Sequence, residues 1–372
     1  MPLETPGPQL INLADFERAA EAALDTMAWH YFRSGSGDER TLRENRAAFE
    51  RHRLLPRVLV DVERRSLATT VLGRPVGWPV LVAPMALHGL ACSDCEAATA
   101  RAAALMDTVL CVSTLSNLSL EQVRAAAPDA RQWFQLYVQR DRGVTAELVA
   151  RAAAAGYEAL VVTVDAPLLG RREGAVRHGL QLPPPLTLGN FPAEVGAAML
   201  AHRNAGDSSL AAHFAVTSDP TVTWRDLGWL RGLSPLPLVL KGVLRPDDAR
   251  HAADEGAAAV VVSNHGGRQV DGAVASLDAL VAVRAAVGPE PVVLVDSGVR
   301  GGADLFVALA LGADACLLGR PHVYGLALAG ADGVRQVIDN LVAELDLIMG
   351  LTGVARVADI GRDQLRRARE AL

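Results

Sequence analysis

Short apolar runs with no polar alternation recur eight times along this chain. They are Val80-Leu81-Val82-Ala83, Val109-Leu110-Cys111-Val112, Trp133-Phe134-Gln135-Leu136, Leu160-Val161-Val162-Thr163-Val164, Leu238-Val239-Leu240-Lys241, Val260-Val261-Val262, Val292-Val293-Leu294-Val295 and Ala315-Cys316-Leu317-Leu318. Such a run reads as a strand buried on both faces, as in a parallel sheet. Parallel neighbours need a crossover between them, usually a helix. Most of the gaps hold Ala/Leu-rich helical patterns, and later ones close on Gly256, Gly288 and Gly312, where helices commonly end. Eight alternating units between residues 80 and 318 predict an α/β fold, the closed (β/α)8 or TIM barrel. A doubly wound sheet more often shows a G-x-G-x-x-G turn after its first strand, and none follows here.

The flanks are read less sharply. Asn12 to Phe49 reads as an N-terminal helical extension, with Asp38 as the cap of its second helix. Arg53 to Val71 reads as extended and irregular. Between Gly170 and Val222 stands a long gap with Pro183-Pro184-Pro185 and no strong period, which predicts a lid after the fourth strand, about 173–222. Gly206-Asp207-Ser208-Ser209 within it suggests mobility. Asp332 to Met349 reads as an amphipathic helix and Arg362 to Leu372 as another. Residues 1–372 are expected to form one domain.

Bulk properties exclude several functions. With 372 residues, half of them hydrophobic, the chain can bury a large core. A net charge of −6 argues against a general nucleic-acid-binding surface. No apolar run reaches membrane-spanning length, and Met1 to Leu10 does not look like a secretory signal. Cys92 and Cys95 form a C-x-x-C without the second ligand pair that structural zinc needs, so no metal is expected. Cys111 and Cys316 sit in apolar runs and read as buried thiols. A reducing, cytoplasmic compartment is the expectation.

In a barrel of this kind, function sits at the carboxyl ends of the strands. The sixth run leads into Ser263-Asn264-His265-Gly266-Gly267-Arg268-Gln269-Val270-Asp271. This places a proton acceptor and a fixed cation three residues apart on a glycine-rich turn, as abstraction of a proton from a carboxylate-bearing substrate requires. The other strand ends add Pro84-Met85-Ala86, Ser113, Gln135 and Tyr137, Thr163 and Asp165, Lys241, Asp296-Ser297-Gly298 with Arg300, and Gly319-Arg320. Gly298, the Arg300-Gly301-Gly302 helix start and Gly319-Arg320 read either as a phosphate site or as ordinary turns with surface arginines. Lys241, ending an apolar strand, must face a ligand's negative charge or pair with a carboxylate such as Asp296.

Ser263 to Asp271 resembles the active-site signature of the FMN-dependent α-hydroxy acid oxidases and dehydrogenases, which include glycolate oxidase, lactate oxidase and mandelate dehydrogenase. The resemblance runs from about Asp15 to Gly353. It extends through Tyr31-Phe32-x-Ser34-Gly35, Phe134-Gln135-Leu136-Tyr137-Val138, Thr163-Val164-Asp165-x-Pro167, Gly170-Arg171-Arg172-Glu173, Leu240-Lys241-Gly242 and Gly319-Arg320-Pro321. It implies FMN as cofactor and oxidation of an (S)-2-hydroxy acid to the 2-oxo acid, with O2 or another acceptor taking the electrons. His265 would be the base, with Asp165 orienting its ring and raising its pKa. Arg172 and Arg268 would bind the substrate carboxylate, and Tyr31 and Tyr137 would contact the substrate. Taken alone, Tyr31, in a helical N-terminal segment, reads as a core residue rather than a site residue. Pro84, Met85, Ala86, Ser113, Gln135, Thr163, Lys241 and Ser263 would hold the flavin ring. Asp296, Ser297, Gly298, Arg300, Gly319 and Arg320 would hold its ribityl phosphate. The resemblance also implies a homotetramer.

Three departures from the family pattern stand out. Ala91-Cys92-Ser93-Asp94-Cys95-Glu96 replaces a usual His-Pro-(Asp/Glu)-Gly-Glu run, Ser297 replaces a usual glycine, and Leu115 replaces a large aromatic. Leu115 predicts room for a side chain bulkier than glycolate's. Ala86, where several dehydrogenases have glycine, predicts an oxidase. No C-x-x-C-H haem attachment site is present. A type 2 isopentenyl diphosphate isomerase would not need His265, Arg268 and Arg172 together, and a silent flavin-binding relative would have lost one of them.

Overall fold

The computed structural model describes residues 10–192 and 209–368. All eight runs form parallel strands: β1 (Val80–Val82), β2 (Val109–Ser113), β3 (Arg131–Leu136), β4 (Leu160–Thr163), β5 (Leu238–Val243), β6 (Ala259–Val262), β7 (Val292–Val295) and β8 (Ala315–Leu318). They pair in sequence order and β8 closes on β1, giving a closed barrel. The pleat sorts each strand with period two. Leu81, Val109, Cys111, Trp133, Val161, Val239, Val261, Leu294 and Leu317 fill the barrel interior. Their neighbours Val82, Leu110, Phe134, Leu160, Leu240, Val260, Val293 and Cys316 face the surrounding helices. Both faces are therefore apolar, which is why the sequence shows unbroken runs.

The same period builds the site. Two residues beyond each interior side chain, the next inward position lies at the carboxyl rim. Those positions are Ala83, Ser113, Gln135, Thr163, Lys241, Ser263, Asp296 and Gly319. A hairpin, Thr69–Val71 with Arg74–Val76, seals the opposite end by packing Val71 and Val76 on the interior cluster.

The N-terminal extension consists of α1 (Leu13–Ala23), α2 (Thr26–Arg33) and α3 (Arg40–Glu50). Asn12 caps α1 in a reciprocal box with Asp15, and Asp25 caps α2. The expected Asp38 cap of α3 is not made. Glu39 occupies that place with φ 58° and no side-chain cap, and the Thr41 N–H donates instead to Asp271 on the loop after β6. A reading of local spacing has no access to a cap supplied from so far along the chain. The C-terminal expectation is also corrected. Leu365–Arg367 form a strand antiparallel to His52–Leu54 in place of a helix, because a free edge satisfies their backbone groups. Asp332 to Met349 does lie in a long helix, Arg320–Thr352, broken at Ala329-Gly330. The lid expectation falls partly on residues 193–208, outside the described residues, as do Gly206, Asp207 and Ser208. Its flanks carry helices Glu173–Arg177 and Ser209–Thr217, more structure than the aperiodic reading allowed.

Burial of His88 and His322, among other histidines, predicts an acid-sensitive fold. The His322 Nδ1–H donates to the Leu318 carbonyl at 2.8 Å, and His88 Nδ1 lies 3.1 Å from the Thr99 hydroxyl. Burial pushes His88 to about 4 and His322 to about 3. The unfolded chain, near 6.5, therefore takes up these protons first. Stability is full above the unfolded value and is lost as pH falls toward the folded ones, about 2 kcal/mol per histidine by pH 5. The melting temperature should fall by about 5 °C between pH 7.5 and 5. Thermal melts across that range check it, and a flat profile contradicts it.

Candidate active site

One cavity opens at the carboxyl rim, lined by residues from the ends of all eight strands. All the residues expected from the sequence line it except Asp165 and Ser263, which stand directly behind it.

The floor is a chain of polar contacts across the strand ends. The Ser113 hydroxyl donates to Gln135 Oε1 at 3.1 Å, and Gln135 Nε2 donates to the Thr163 hydroxyl at 3.0 Å. Thr163 lies in register with Lys241 on β5. Lys241 is only 4 % exposed, and its Nζ lies 2.9 Å from Asp296 Oδ2 and donates to Ser263 Oγ at 3.0 Å. Burial disfavours its charge, but Asp296 and Asp165 outweigh that and hold its pKa above the ordinary value. Lys241 is thus paired to Asp296 and also lines the cavity. A bulge aims it: β5 shifts register between Lys241 and Val243 across Gly242, φ 110°. A Cβ there would sit 2.5 Å from the Asp165 side chain, so only glycine lets β5 pass so close.

The loop after β6 carries His265, the base expected from the sequence. His265, Gly266 and Gly267 all have positive φ, 59°, 67° and 72°. Such a conformation is costly for histidine and is found where function demands it. His265 Nδ1 lies 3.0 Å from Asp165 Oδ1. A carboxylate there fixes the Nδ1–H tautomer and leaves the Nε2 lone pair free to accept a proton. Burial lowers the His265 pKa and Asp165 raises it, and burial wins. Asp165 thus acts in the expected direction, and the burial that outweighs it makes the net shift a lowering. For Asp165, burial pushes upward but His265 and Lys241 prevail, keeping it ionised.

Behind this loop lies a support that the sequence reading missed. Gln269 Nε2 donates to the carbonyls of Asp165 and Leu168, at 2.8 and 2.9 Å, and its Oε1 accepts from Gly170 N. Asn264 and Asn45 exchange two amide hydrogen bonds, 2.9 and 2.7 Å, tying the loop to α3. These amides lie inside the signature itself, but only their partners, far along the chain, reveal the role.

Four arginines line the cavity: Arg172, Arg268 and Arg320, with Arg300 at its far end. Arg268 and Arg320 are 6 % and 8 % exposed. Among the described residues they are held by backbone carbonyls and by no carboxylate. Arg268 donates to Tyr31, Phe32 and Ser34, and lies over the Tyr31 ring at 5.4 Å. Arg320 donates to Phe32, Ser34 and Gly266. Arg172 Nε donates to the Arg268 carbonyl. Burial, with Arg172 and Arg320 nearby, drives the Arg268 pKa well down, and burial brings Arg320 to about 10. Buried cations without counter-ions fit an anionic ligand. Tyr137 is pushed up to about 12 and Tyr31 is raised, chiefly by burial, so both hydroxyls stay protonated.

At the far end, Arg300, Gly298, Gly319 and Arg320 line the cavity as expected. One element of the phosphate reading changes. The Gly302 N–H donates to Glu344 and the Arg300 N–H to Asp304, both at 2.7 Å, so the protein itself caps that helix. The helix start at Gly319-Arg320 is the one left facing the cavity. The Ser297 hydroxyl is satisfied within the protein, donating to Asp296 Oδ1 and accepting from Gly266 N. Leu169 and Leu210 also line the cavity, and nothing polar in the sequence marked them.

Residues 20–367 match the family model of the FMN-dependent dehydrogenases. The chain is 52 % identical to an L-lactate oxidase of Nostoc sp. over 94 % of its own length and 96 % of the relative's. It is 43 % identical to 2-hydroxyacid oxidase 1 of Homo sapiens, with 97 % of each chain covered. A solved structure of mandelate oxidase with (S)-4-hydroxymandelic acid superposes with a TM-score of 0.90 at 43 % identity, covering 96 % of this chain and 98 % of the other. With this family match and these full-length likenesses, the chain belongs to the family of FMN-dependent α-hydroxy acid oxidases and dehydrogenases.

Proposed function

We propose that the protein is an FMN-dependent oxidase of (S)-2-hydroxy acids, carried by one barrel domain, that passes the electrons to O2 and releases hydrogen peroxide. The observation that carries this reading is the His265–Asp165 pair set beside Arg172 and Arg268 in one cavity. The residues suit FMN. A phosphate matches the buried cation of Arg320 together with Arg300 and the Gly319-Arg320 helix start. A flavin ring matches the polar floor of Ser113, Gln135 and Thr163, with Pro84, Met85 and Ala86 at its edge. Lys241 is the fixed cation that stabilises negative charge on a reduced ring. Bound FMN supplies the two-electron acceptor and its reoxidation by oxygen.

The chain's own residues do the rest. Arg172 and Arg268 bind the substrate carboxylate and set the α-carbon's position, and the Tyr31 and Tyr137 hydroxyls donate to substrate oxygens. His265 Nε2 takes the proton as the bond to the α-carbon breaks. Asp165 stabilises the imidazolium that forms, through the Nδ1–H bond. Ala86 supports oxygen as acceptor, as do the oxidase names of the curated relatives. The family resemblance supports a homotetramer, and four unpaired thiols support a reducing, cytoplasmic compartment.

The substrate side chain meets Leu115, Leu169 and Leu210, an apolar surround. Lactate and 2-hydroxy-4-methylpentanoate should therefore show kcat/KM at least as high as glycolate, with one peroxide formed per 2-oxo acid. Steady-state assays over glycolate, lactate, the branched acid and mandelate check this. A clear preference for glycolate rejects the pocket argument, and 2-oxo acid formed without peroxide rejects oxygen.

A further inference from the structure

The C-x-x-C that replaces the family's usual run stands six residues beyond Ala86. The Cys95 N–H donates to the Cys92 carbonyl at 3.0 Å. That i to i+3 bond marks a turn whose end Cα atoms lie within about 7 Å. A disulfide needs Cα atoms about 4.4–6.8 Å apart, a span that overlaps what such a turn allows. Cys95 has φ 50°, the left-handed region that glycine enters freely and a cysteine enters at a cost. Both thiols are unpaired. Cys92 is half-buried at the edge of the core, beside the Ala329-Gly330 break in the long helix. Cys95 is buried, its thiol donating to the Ser93 carbonyl at 3.4 Å. The intervening Leu90 and Ala91 pack with Met85, Ala86 and Leu115, residues that line the active-site cavity.

We propose that Cys92 and Cys95 form a dithiol that hydrogen peroxide made in the adjacent site oxidises to a disulfide. The source of the oxidant rests on the oxidase reading above. The Cys92 sulfur attacks one peroxide oxygen, so an S–O bond forms, the O–O bond breaks and the departing oxygen leaves as water. Cys92 becomes a sulfenic acid, two electrons having passed from sulfur to peroxide. The Cys95 sulfur then attacks Cys92, forming S–S and breaking S–O, and the Cys95 proton leaves with the hydroxyl as a second water. Two thiols and one peroxide give one disulfide and two waters. Cys92 is half-buried and Cys95 buried, so peroxide meets Cys92 first and Cys95 acts second, as the resolving partner. Capture by Cys95 keeps Cys92 from irreversible over-oxidation.

The test uses the holoenzyme, its Cys92→Ser and Cys95→Ser variants, and intact-mass and peptide measurements. With added peroxide and no hydroxy acid, the wild type should lose about 2 Da in a Cys92–Cys95 peptide, reversibly with dithiothreitol. Cys95→Ser should accumulate a dimedone-trappable sulfenic acid at Cys92, and Cys92→Ser should not change. Oxygen addition at Cys92 without loss of two hydrogens in the wild type overturns the proposal. So does an identical product in wild type and Cys95→Ser. During aerobic turnover, with released peroxide assayed in parallel, the disulfide should form and catalase should suppress it. Peroxide released without the disulfide overturns self-oxidation. Absence of peroxide overturns the oxidase reading, and the added-peroxide arm still decides the dithiol.

Discussion

His265→Gln lowers kcat by about 10²–10⁴-fold, the usual worth of a positioned general base, while the flavin spectrum and content stay those of wild type. Glutamine keeps the polar volume at the rim but offers no lone pair of suitable basicity. Since burial already holds the His265 pKa below its ordinary value, kcat/KM of the wild type should fall only at pH below about 6.5, as the imidazole protonates. Asp165→Asn removes the charge that raises this pKa, so the acid limb should move to still lower pH while kcat drops. Pre-steady-state and pH-rate measurements check both. A His265→Gln variant within threefold of wild-type turnover contradicts the assignment of the base.

Arg172→Lys raises KM for the hydroxy acid about 10–100-fold, the worth of a charge-assisted hydrogen bond, with flavin content unchanged. A lysine presents a point charge where a planar fork is needed to hold a carboxylate by two parallel bonds. Arg268→Lys should raise KM similarly and also lower the melting temperature. Its guanidinium anchors the end of α2 through the carbonyls of Tyr31, Phe32 and Ser34, and it stacks on the Tyr31 ring. The two variants thus differ in a stated way. Steady-state kinetics, flavin-to-protein ratio and thermal melts separate the effects. Loss of flavin from Arg172→Lys with KM unchanged would move that residue to the cofactor.

The barrel was legible because strands buried on both faces must be apolar throughout, and eight such runs have few other closed arrangements. The rim was legible for a related reason. Val239 faces the interior, so Lys241 two residues on must face it too, and the same step leads from Trp133 to Gln135 and from Leu294 to Asp296. What stayed hidden depends on partners far along the chain. Asp271 caps α3, Glu344 caps the helix that begins at Gly302, and Asn45 pairs with Asn264. No local spacing marks such pairs. The C-terminal strand was missed because Leu365–Arg367 is fixed by the free edge of His52–Leu54 and not by its own propensity. The upward pull of Asp165 on the His265 pKa was legible from the carboxylate, but the burial that outweighs it was not.

The central claim is tested most directly by mixing the anaerobic holoenzyme with (S)-lactate in a stopped-flow spectrophotometer, then admitting air-saturated buffer. The flavin band should bleach within the turnover time and return at least as fast as steady-state turnover, with one peroxide and one 2-oxo acid per cycle. A flavin that no 2-hydroxy acid bleaches, or one that bleaches and then stays reduced in air, contradicts a 2-hydroxy acid oxidase.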